Sequence, residues 1–293
     1  MKNPKIITVL VCCIAVLSLV AAGTGVLWQG NGNHSKFVTL RGETVSMQGD
    51  GLYKFDSVNY AAQGIGQDIV TLLVGIPLLL ISLALYRRNS LRGKLLLAGT
   101  LAYFLYSYTT YSFGVAFNIL FLVYIAIFSL SLFAFVLSLM SIDVNELPIH
   151  FSSKLPRRTI AIFMFFISTF LTLAWLGRIV PALLNNGTPV GLESSSTLFI
   201  QVMDLGIIVP VAVLAGVLLL RQNRWGYLLT SVMLFKLFTM GTALTSMIIW
   251  QWMAGVEMSL VEAMIFPIIT VVGIFMTFLL LKNISERAII TPV

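Results

Sequence analysis

Charged residues are scarce in this chain of 293 residues: 10% are Asp, Glu, Lys or Arg, whereas 58% are hydrophobic. Soluble domains carry about 25% charged residues. A soluble chain of this length would lack the polar side chains needed to cover its surface, so most of the surface must face lipid. The formal net charge is +7, but the basic residues stand in short groups between apolar runs. This distribution argues against a nucleic-acid-binding protein and is typical of membrane topology signals.

Cysteine and histidine are also rare, with two of each. Cys12 and Cys13 are adjacent inside an apolar run, so we expect no disulfide framework. His34 and His150 fall in predicted loops, which argues against haem or zinc held inside the membrane. The chain has no P-loop, GxSxG, CxxC or HExxH motif, and no span carries paired carboxylates in its middle. We therefore expect no cofactor and rank an enzyme last among the functional hypotheses.

Long apolar runs make up most of the chain, and a membrane-spanning helix needs about 20 such residues. The sequence predicts an all-α integral membrane protein with about eight transmembrane helices, at 6–27, 67–86, 95–113, 115–139, 159–180, 198–220, 227–250 and 258–281. The first run follows Lys2 and Lys5 and precedes Val20-Ala21-Ala22-Gly23, so it also resembles a secretory signal peptide. Its length favours a retained span.

Lysine and arginine predict the orientation. With the N-terminus in the cytoplasm, 13 of them face inward: Lys2, Lys5, Arg87, Arg88, Arg92, Lys94, Lys154, Arg157, Arg158, Arg221, Arg224, Lys282 and Arg287. Lys36, Arg41, Lys54 and Arg178 fall outside, and Lys236 lies within a span. Because cytoplasmic loops carry the excess of basic residues, we expect a multi-pass protein of the cell membrane with both termini cytoplasmic.

Two stretches of the chain follow one pattern. In Pro77–Gly93 and Pro210–Gly226, Pro and Gly are 16 positions apart, and Arg88 and Arg221 stand at the same place between them. The pattern predicts two parallel four-helix repeats, a first half at 1–140 and a second half at 159–293, joined by a cytoplasmic linker at 141–158. A chance similarity is the alternative explanation, because most of the other matches pair Leu with Leu, as any two membrane spans would.

The longest extracytoplasmic segment is the outer loop 28–66. Residues 36–40, 43–47 and 52–55 are β-like, and Gly42 and Gly49-Asp50-Gly51 supply turns. We expect a small β-like extracytoplasmic cap, either a hairpin or a three-stranded sheet. It is either a lid over a site or an ordered loop.

Charged and polar residues at membrane depth are candidates for a site because they cost about 2.5–3.5 kcal/mol each at the centre. Counted from the cytoplasmic end of each span, Arg178, Gln201, Asp204 and Glu262 have similar heights, and Lys236 is deeper. These five residues predict a polar pocket in the outer part of the second half, with Lys236 as its floor. Tyr103 takes the position of Lys236 in the first half.

A purely structural interpretation of the same residues stays open. Arg178 and Glu262 would reach the outer headgroups, Asp204 would pair with Arg178, and Lys236 would extend inward along its stem. Asp68 would be a polar helix start at the interface, which leaves the first half with almost no buried charge. Most of the four tyrosines between residues 103 and 111 would form an interfacial aromatic belt, with Tyr103, near mid-span, as the exception.

Two functions follow from these alternatives. The first is a carrier or channel for a small polar solute or ion. The second is a membrane sensor or accessory subunit whose outer loop binds a ligand or a membrane-protein partner. Lys236 discriminates between them: a water-accessible cavity around it favours the carrier, and a lysine sealed against a carboxylate favours the accessory protein.

Overall fold

A computed structural model describes residues 4–287, apart from the side chain of Glu262. Eight long helices occupy most of this range, in chain order α1 (Pro4–Leu27), α2 (Val58–Arg87), α3 (Leu91–Gly114), α4 (Phe121–Met140), α5 (Arg157–Leu184), α6 (Phe199–Leu220), α7 (Arg224–Met253) and α8 (Leu260–Lys282). Seven of these helices, all except α3, are long and apolar enough to cross a membrane. The all-α membrane class predicted from composition is therefore confirmed.

Helix α3 is as long as its neighbours but carries more tyrosine and threonine. Twelve of its residues are buried, because it packs against α2, α4 and α7 in the middle of the bundle. Its buried polar side chains, Thr100, Tyr103, Ser107, Tyr108 and Tyr111, therefore face protein. Tyr103, Tyr108 and Tyr111 belong to this core, so the interfacial belt predicted for Tyr108 and Tyr111 is wrong.

The two Pro–Gly stretches adopt the same conformation. Helices α2 and α6 each contain a five-residue π-helical segment, Thr71–Gly75 and Asp204–Ile208, and Pro77 and Pro210 follow these segments at the same distance. Proline has no N–H and clashes with the carbonyl four residues back. That carbonyl lies within the π segment in both helices, where the wider turn makes room for the ring.

The glycines of the two stretches stand where the paired helices cross. A Cβ atom on Gly93 would lie 2.5 Å from the Leu85 carbonyl carbon, and one on Gly226 would lie 2.4 Å from that of Leu218. Any side chain there would push α2 from α3, or α6 from α7. In both stretches, the proline follows a π segment and the glycine lies at a close approach of two helices.

Buried apolar side chains form two clusters. One comes mainly from α1 to α4, and the other comes mainly from α5 to α8 and the segment 141–156 before α5. The clusters meet where α3 packs on α7: a Cβ on Gly99 would come within 2.3 Å of the Phe235 Cβ. Helix α2 approaches α7 equally closely at Gly66, whereas α6 stands away from α3 over part of its length.

Loops gather at two ends of the bundle. The cap end holds residues 28–57, where Ser35–Val38 and Thr44–Met47 pair as an antiparallel hairpin. The predicted cap is thus a two-stranded hairpin, and residues 52–55 form turns instead of a third strand. At the opposite, linker end, Phe151 pairs with Ile284.

Two carboxylates outside the helices hold these ends together. Asp56 is buried in the cap and accepts a hydrogen bond from Ala116 N–H at 2.9 Å. Burial raises the pKa of Asp56 to about 7, although that hydrogen bond opposes the shift. At the linker end, partial burial acts to raise the pKa of Glu286. Hydrogen bonds from Ser90 and from the N–H groups of Leu91 and Arg92 outweigh that effect and lower its pKa.

Candidate functional site

A cavity of about 210 Å³ lies between the two halves of the bundle, in the space that separates α6 from α3. It runs from the cap end, near Tyr60 and Phe199, down to Lys236. One side, the polar wall, comes from α2 and α3 and includes Tyr60, Gln63, Gln67, Ser107 and Thr110. A second group of lining residues, the apolar wall, comes from α5, α7 and α8 and includes Ile167, Phe170, Leu171, Leu244, Phe266 and Ile269.

Lys236 lines this cavity. Its side chain is 4% exposed, and its Nζ lies 3.9 Å from the centre of the Tyr106 ring. No group among residues 4–287 with a described side chain lies within hydrogen-bond or ion-pair distance of the Lys236 ammonium. A buried ammonium normally has charged or hydrogen-bonding partners. The ring face stabilises the charge by about 2 kcal/mol at a desolvated position but accepts none of its N–H groups in a conventional hydrogen bond.

Asp204 lies beside this lysine at the start of the π segment of α6 and is 6% exposed. One carboxylate oxygen accepts the Tyr106 hydroxyl at 2.7 Å, and the other accepts the Trp175 indole N–H at 2.9 Å. The Tyr106 ring therefore connects the two charged residues, with Lys236 on its face and Asp204 at its hydroxyl. Three helices, α3, α5 and α6, fix the position of this carboxylate.

Gln67 links the polar wall to Tyr103. Its amide N–H group donates to the Tyr103 hydroxyl at 2.6 Å and to the Ser107 hydroxyl at 3.0 Å, and Thr71 lies 3.0 Å from the same tyrosine. Tyr103 is fully buried behind Gln67 and does not line the cavity. Its contribution to the site is to position Gln67.

The remaining predicted site residues lie nearer the cap end. Gln201 is 8% exposed on the turn of α6 that precedes Asp204. The guanidinium of Arg178 lies 5.3 Å from the centre of the Trp175 ring. Glu262 lies in α8, and its side chain is outside the described part of the structure. The structure thus brings Lys236 and Asp204 together at one cavity, with Arg178 stacked on the tryptophan that holds Asp204.

A second buried carboxylate occurs in the first half. Asp68 is 2% exposed and accepts the hydroxyl groups of Tyr53 at 2.5 Å and Tyr111 at 2.7 Å. The interfacial position predicted for Asp68 is therefore wrong, and the first half does contain a buried acid. Gly25 of α1 packs directly on it: a Cβ there would lie 1.8 Å from an Asp68 oxygen.

Sequence reasoning missed the site roles of Tyr106 and Trp175. The sequence predicts an interfacial position for Tyr106 and no role for Trp175, because neither side chain carries a charge. The spacing of Asp204 and Trp175 from the span ends puts them at similar heights, which is the only sequence signal for their contact. Among the described residues, no group of three His, Cys, Asp or Glu side chains is placed to hold a metal ion.

Comparison with protein-family models, with curated proteins and with solved structures finds no match for this chain. Its class rests on the fold: seven apolar helices define a multi-pass membrane protein whose environment is a lipid bilayer. Its particular function has to be argued from the cavity and from Lys236.

Proposed function

We propose that this protein is a carrier or channel for a small solute or ion, and that the cavity above Lys236 is its binding site. The single observation that carries the proposal is the buried Lys236 ammonium, which lines a cavity and has no protein partner among the described side chains. Ionisable residues are rare inside membranes and line substrate or ion pathways. A solute that accepts hydrogen bonds would provide the missing partner.

The architecture we propose has eight transmembrane helices, with α3 as the least apolar of them. The two halves are parallel repeats, and the cap end faces outward from the cell membrane with both termini in the cytoplasm. The matched hairpins support the repeat, and the basic residues at the linker end support the orientation. The carrier interpretation fits this arrangement because parallel repeats place a site at their interface.

A thermal-shift screen of the purified protein against ions and small metabolites tests the proposal. A solute at about 100 times its dissociation constant adds roughly 2.7 kcal/mol to the free energy of unfolding. We expect one solute class to stabilise the wild type but not Lys236→Ala or Asp204→Asn. Lys282→Ala, which removes an exposed lysine of α8, is the matched control and should keep the shift.

The alternative is a sensor or accessory subunit, and one feature of the cap favours it. Glu193 accepts hydrogen bonds from Ser57 and from Asn59, and Tyr60 donates to the Gly191 carbonyl at 2.8 Å. These contacts fix a loop of the second half on the cap and could present it to a partner. If no solute binds and Lys236→Ala is as stable as the wild type, the accessory interpretation replaces the carrier.

A further inference from the structure

The walls of the cavity differ in chemistry, and this difference restricts what fits between them. The polar wall offers the amide of Gln63 and the hydroxyl groups of Ser107 and Thr110. The apolar wall offers aromatic and aliphatic side chains from Phe170, Phe266 and their neighbours. A small hydrated ion would leave the apolar wall facing trapped water. The polar wall already forms hydrogen bonds within the protein, but a purely apolar molecule would leave Lys236 without a partner. An amphipathic molecule satisfies both walls.

The polar end of such a molecule is defined by the two charged residues. Both oxygens of Asp204 already accept hydrogen bonds from Tyr106 and Trp175. Lys236 keeps all three of its N–H donors, because its only close contact among the described side chains is the face of the Tyr106 ring. The Lys236 ammonium therefore offers a ligand a positively charged hydrogen-bond donor. A carboxylate or another acidic group matches it.

We propose that the cavity binds an amphipathic organic acid, with its acidic group on Lys236 and its apolar body against the apolar wall. This inference rests on the proposed function, since it names the ligand class of the same site. Lys236 and Met247 line the cavity 11 residues apart on α7, about 16 Å along the helix axis. That length accommodates a medium-chain acid.

Access from the bilayer fits this ligand class. Phe170 of α5 and Phe266 of α8 line the cavity, and their ring centres are 5.9 Å apart. Counted from the linker end, they lie about 20 and 24 Å along their helices, within a hydrocarbon core about 30 Å thick. A route from the bilayer to the cavity between α5 and α8 would therefore pass these two rings.

Equilibrium binding of radiolabelled decanoate to the protein in lipid nanodiscs tests the proposal, with empty nanodiscs as the blank. Wild type, Lys236→Met and the matched control Lys282→Met are compared. Acetate, chloride and the neutral isostere decanol serve as competitors. We expect saturable decanoate binding in wild type and in Lys282→Met, and binding about tenfold weaker or more in Lys236→Met, because a buried charge pair is lost. Decanol should compete poorly, because it has the chain without the charge, and acetate should compete poorly, because it has the charge without the chain.

The outcomes separate the ligand class from the function. If acetate or chloride binds in a Lys236-dependent manner and decanoate does not, the amphipathic class is wrong and the site for a small solute stands. If neither these probes nor any solute of the thermal-shift screen depends on Lys236, both proposals fail. Decanoate that only partitions into lipid, equally with and without protein, also overturns the inference.

A second readout covers the case in which Lys236→Met does not fold. A bromine-substituted decanoate should quench the fluorescence of Trp175, which lines the cavity. We expect the quenching to saturate in the wild type and to fall sharply in Trp175→Phe. Equal quenching in the two proteins would come from the other tryptophans and would contradict binding in the cavity.

Discussion

Asp68 and Asp204 are buried acids of the first and the second half, and their surroundings differ. Each is a buried acid at or just before a π segment, and each accepts two hydrogen bonds from aromatic side chains. Asp68 is enclosed by Tyr53, Tyr111 and the backbone of Gly25. Asp204 lines a cavity.

A second difference concerns Tyr103 and Lys236, which stand at matched positions after the two prolines. Tyr103 and Lys236 stand at equal distances, 26 positions, after Pro77 and Pro210. In the first half the tyrosine hydroxyl is satisfied by Gln67 and Thr71, so that site is closed. In the second half, the Lys236 ammonium contacts a ring face and no hydrogen-bonding group among the described side chains, which is why we propose a ligand there. The two stretches share a π segment before the proline, and the side chains around matched positions differ.

The largest expected effect is on stability, when each of the two acids is replaced by alanine. Asp68→Ala leaves the buried Tyr53 hydroxyl without its acceptor and leaves Tyr111 only the Gly64 carbonyl, at 3.1 Å, so we expect a loss of about 3 kcal/mol in unfolding free energy. Asp204→Ala should cost about 1–2 kcal/mol, because water in the cavity can take its place. Unfolding of both variants in one detergent measures the difference. Equal losses would contradict the distinction between a closed and an open site.

Adding a side chain at Gly25, beside Asp68, should also destabilise the protein. Gly25→Ala places a methyl group against the Asp68 carboxylate and the Tyr53 hydroxyl, and we expect a loss of about 1–3 kcal/mol. Gly23→Ala in the same helix is the matched control, because a Cβ there meets nothing within 4 Å. Thermal unfolding of the pair is the measurement. A Gly25→Ala variant as stable as Gly23→Ala would mean that Asp68 is loosely packed.

The cap should respond to pH through Asp56. Its pKa is raised to about 7 in the folded protein, against about 3.9 in an unfolded chain. Between these values the folded state holds a proton that the unfolded state has released, so this group stabilises the fold at low pH. The contribution falls by at most about 1.4 kcal/mol per unit as pH rises from 4 to 7.

The unfolding temperature measured from pH 5 to pH 8 checks this effect. Wild type should lose stability across the range, and Asp56→Asn should flatten the slope. A wild type whose stability rises over the same range, with Asp56→Asn unchanged, would show that Asp56 is ionised in the folded protein.

A smaller effect is expected from Tyr106→Phe. This change removes the hydroxyl that binds Asp204 but keeps the ring under Lys236, so it should cost about 1 kcal/mol. Solute binding at Lys236 should persist. If binding is lost as completely as in Lys236→Ala, the hydroxyl itself contacts the ligand.

Much of the fold could be predicted from the sequence because apolar length and basic loops follow directly from the bilayer. The hairpin pattern also had a local cause, since Pro and Gly each impose a backbone requirement. The surroundings of Asp68 could not be predicted by counting residues from a span end. Counting gives height along a helix axis but not the neighbouring helix, and it is Gly25 of α1 that seals the acid.

The tyrosines of α3 show a signal that was present and misread. Phe104, Tyr108 and Tyr111 recur at helical spacing, which puts them on one face, and their rings pack in series in the core. An interfacial belt would need no such spacing. The depth of Lys236 was predictable from its place in α7, whereas its Tyr106 contact required the packing of α3 on α7.

The most direct test compares cysteine reactivity at the two matched positions. In a background with Cys12→Ser and Cys13→Ser, Lys236→Cys and Tyr103→Cys are exposed to a water-soluble maleimide in detergent, with Lys282→Cys as the exposed reference. An open second-half site predicts that Cys at 236 reacts, more slowly than the reference, while Cys at 103 is protected until the protein unfolds. Protection at 236, or equal reaction at 236 and 103, would contradict the central claim.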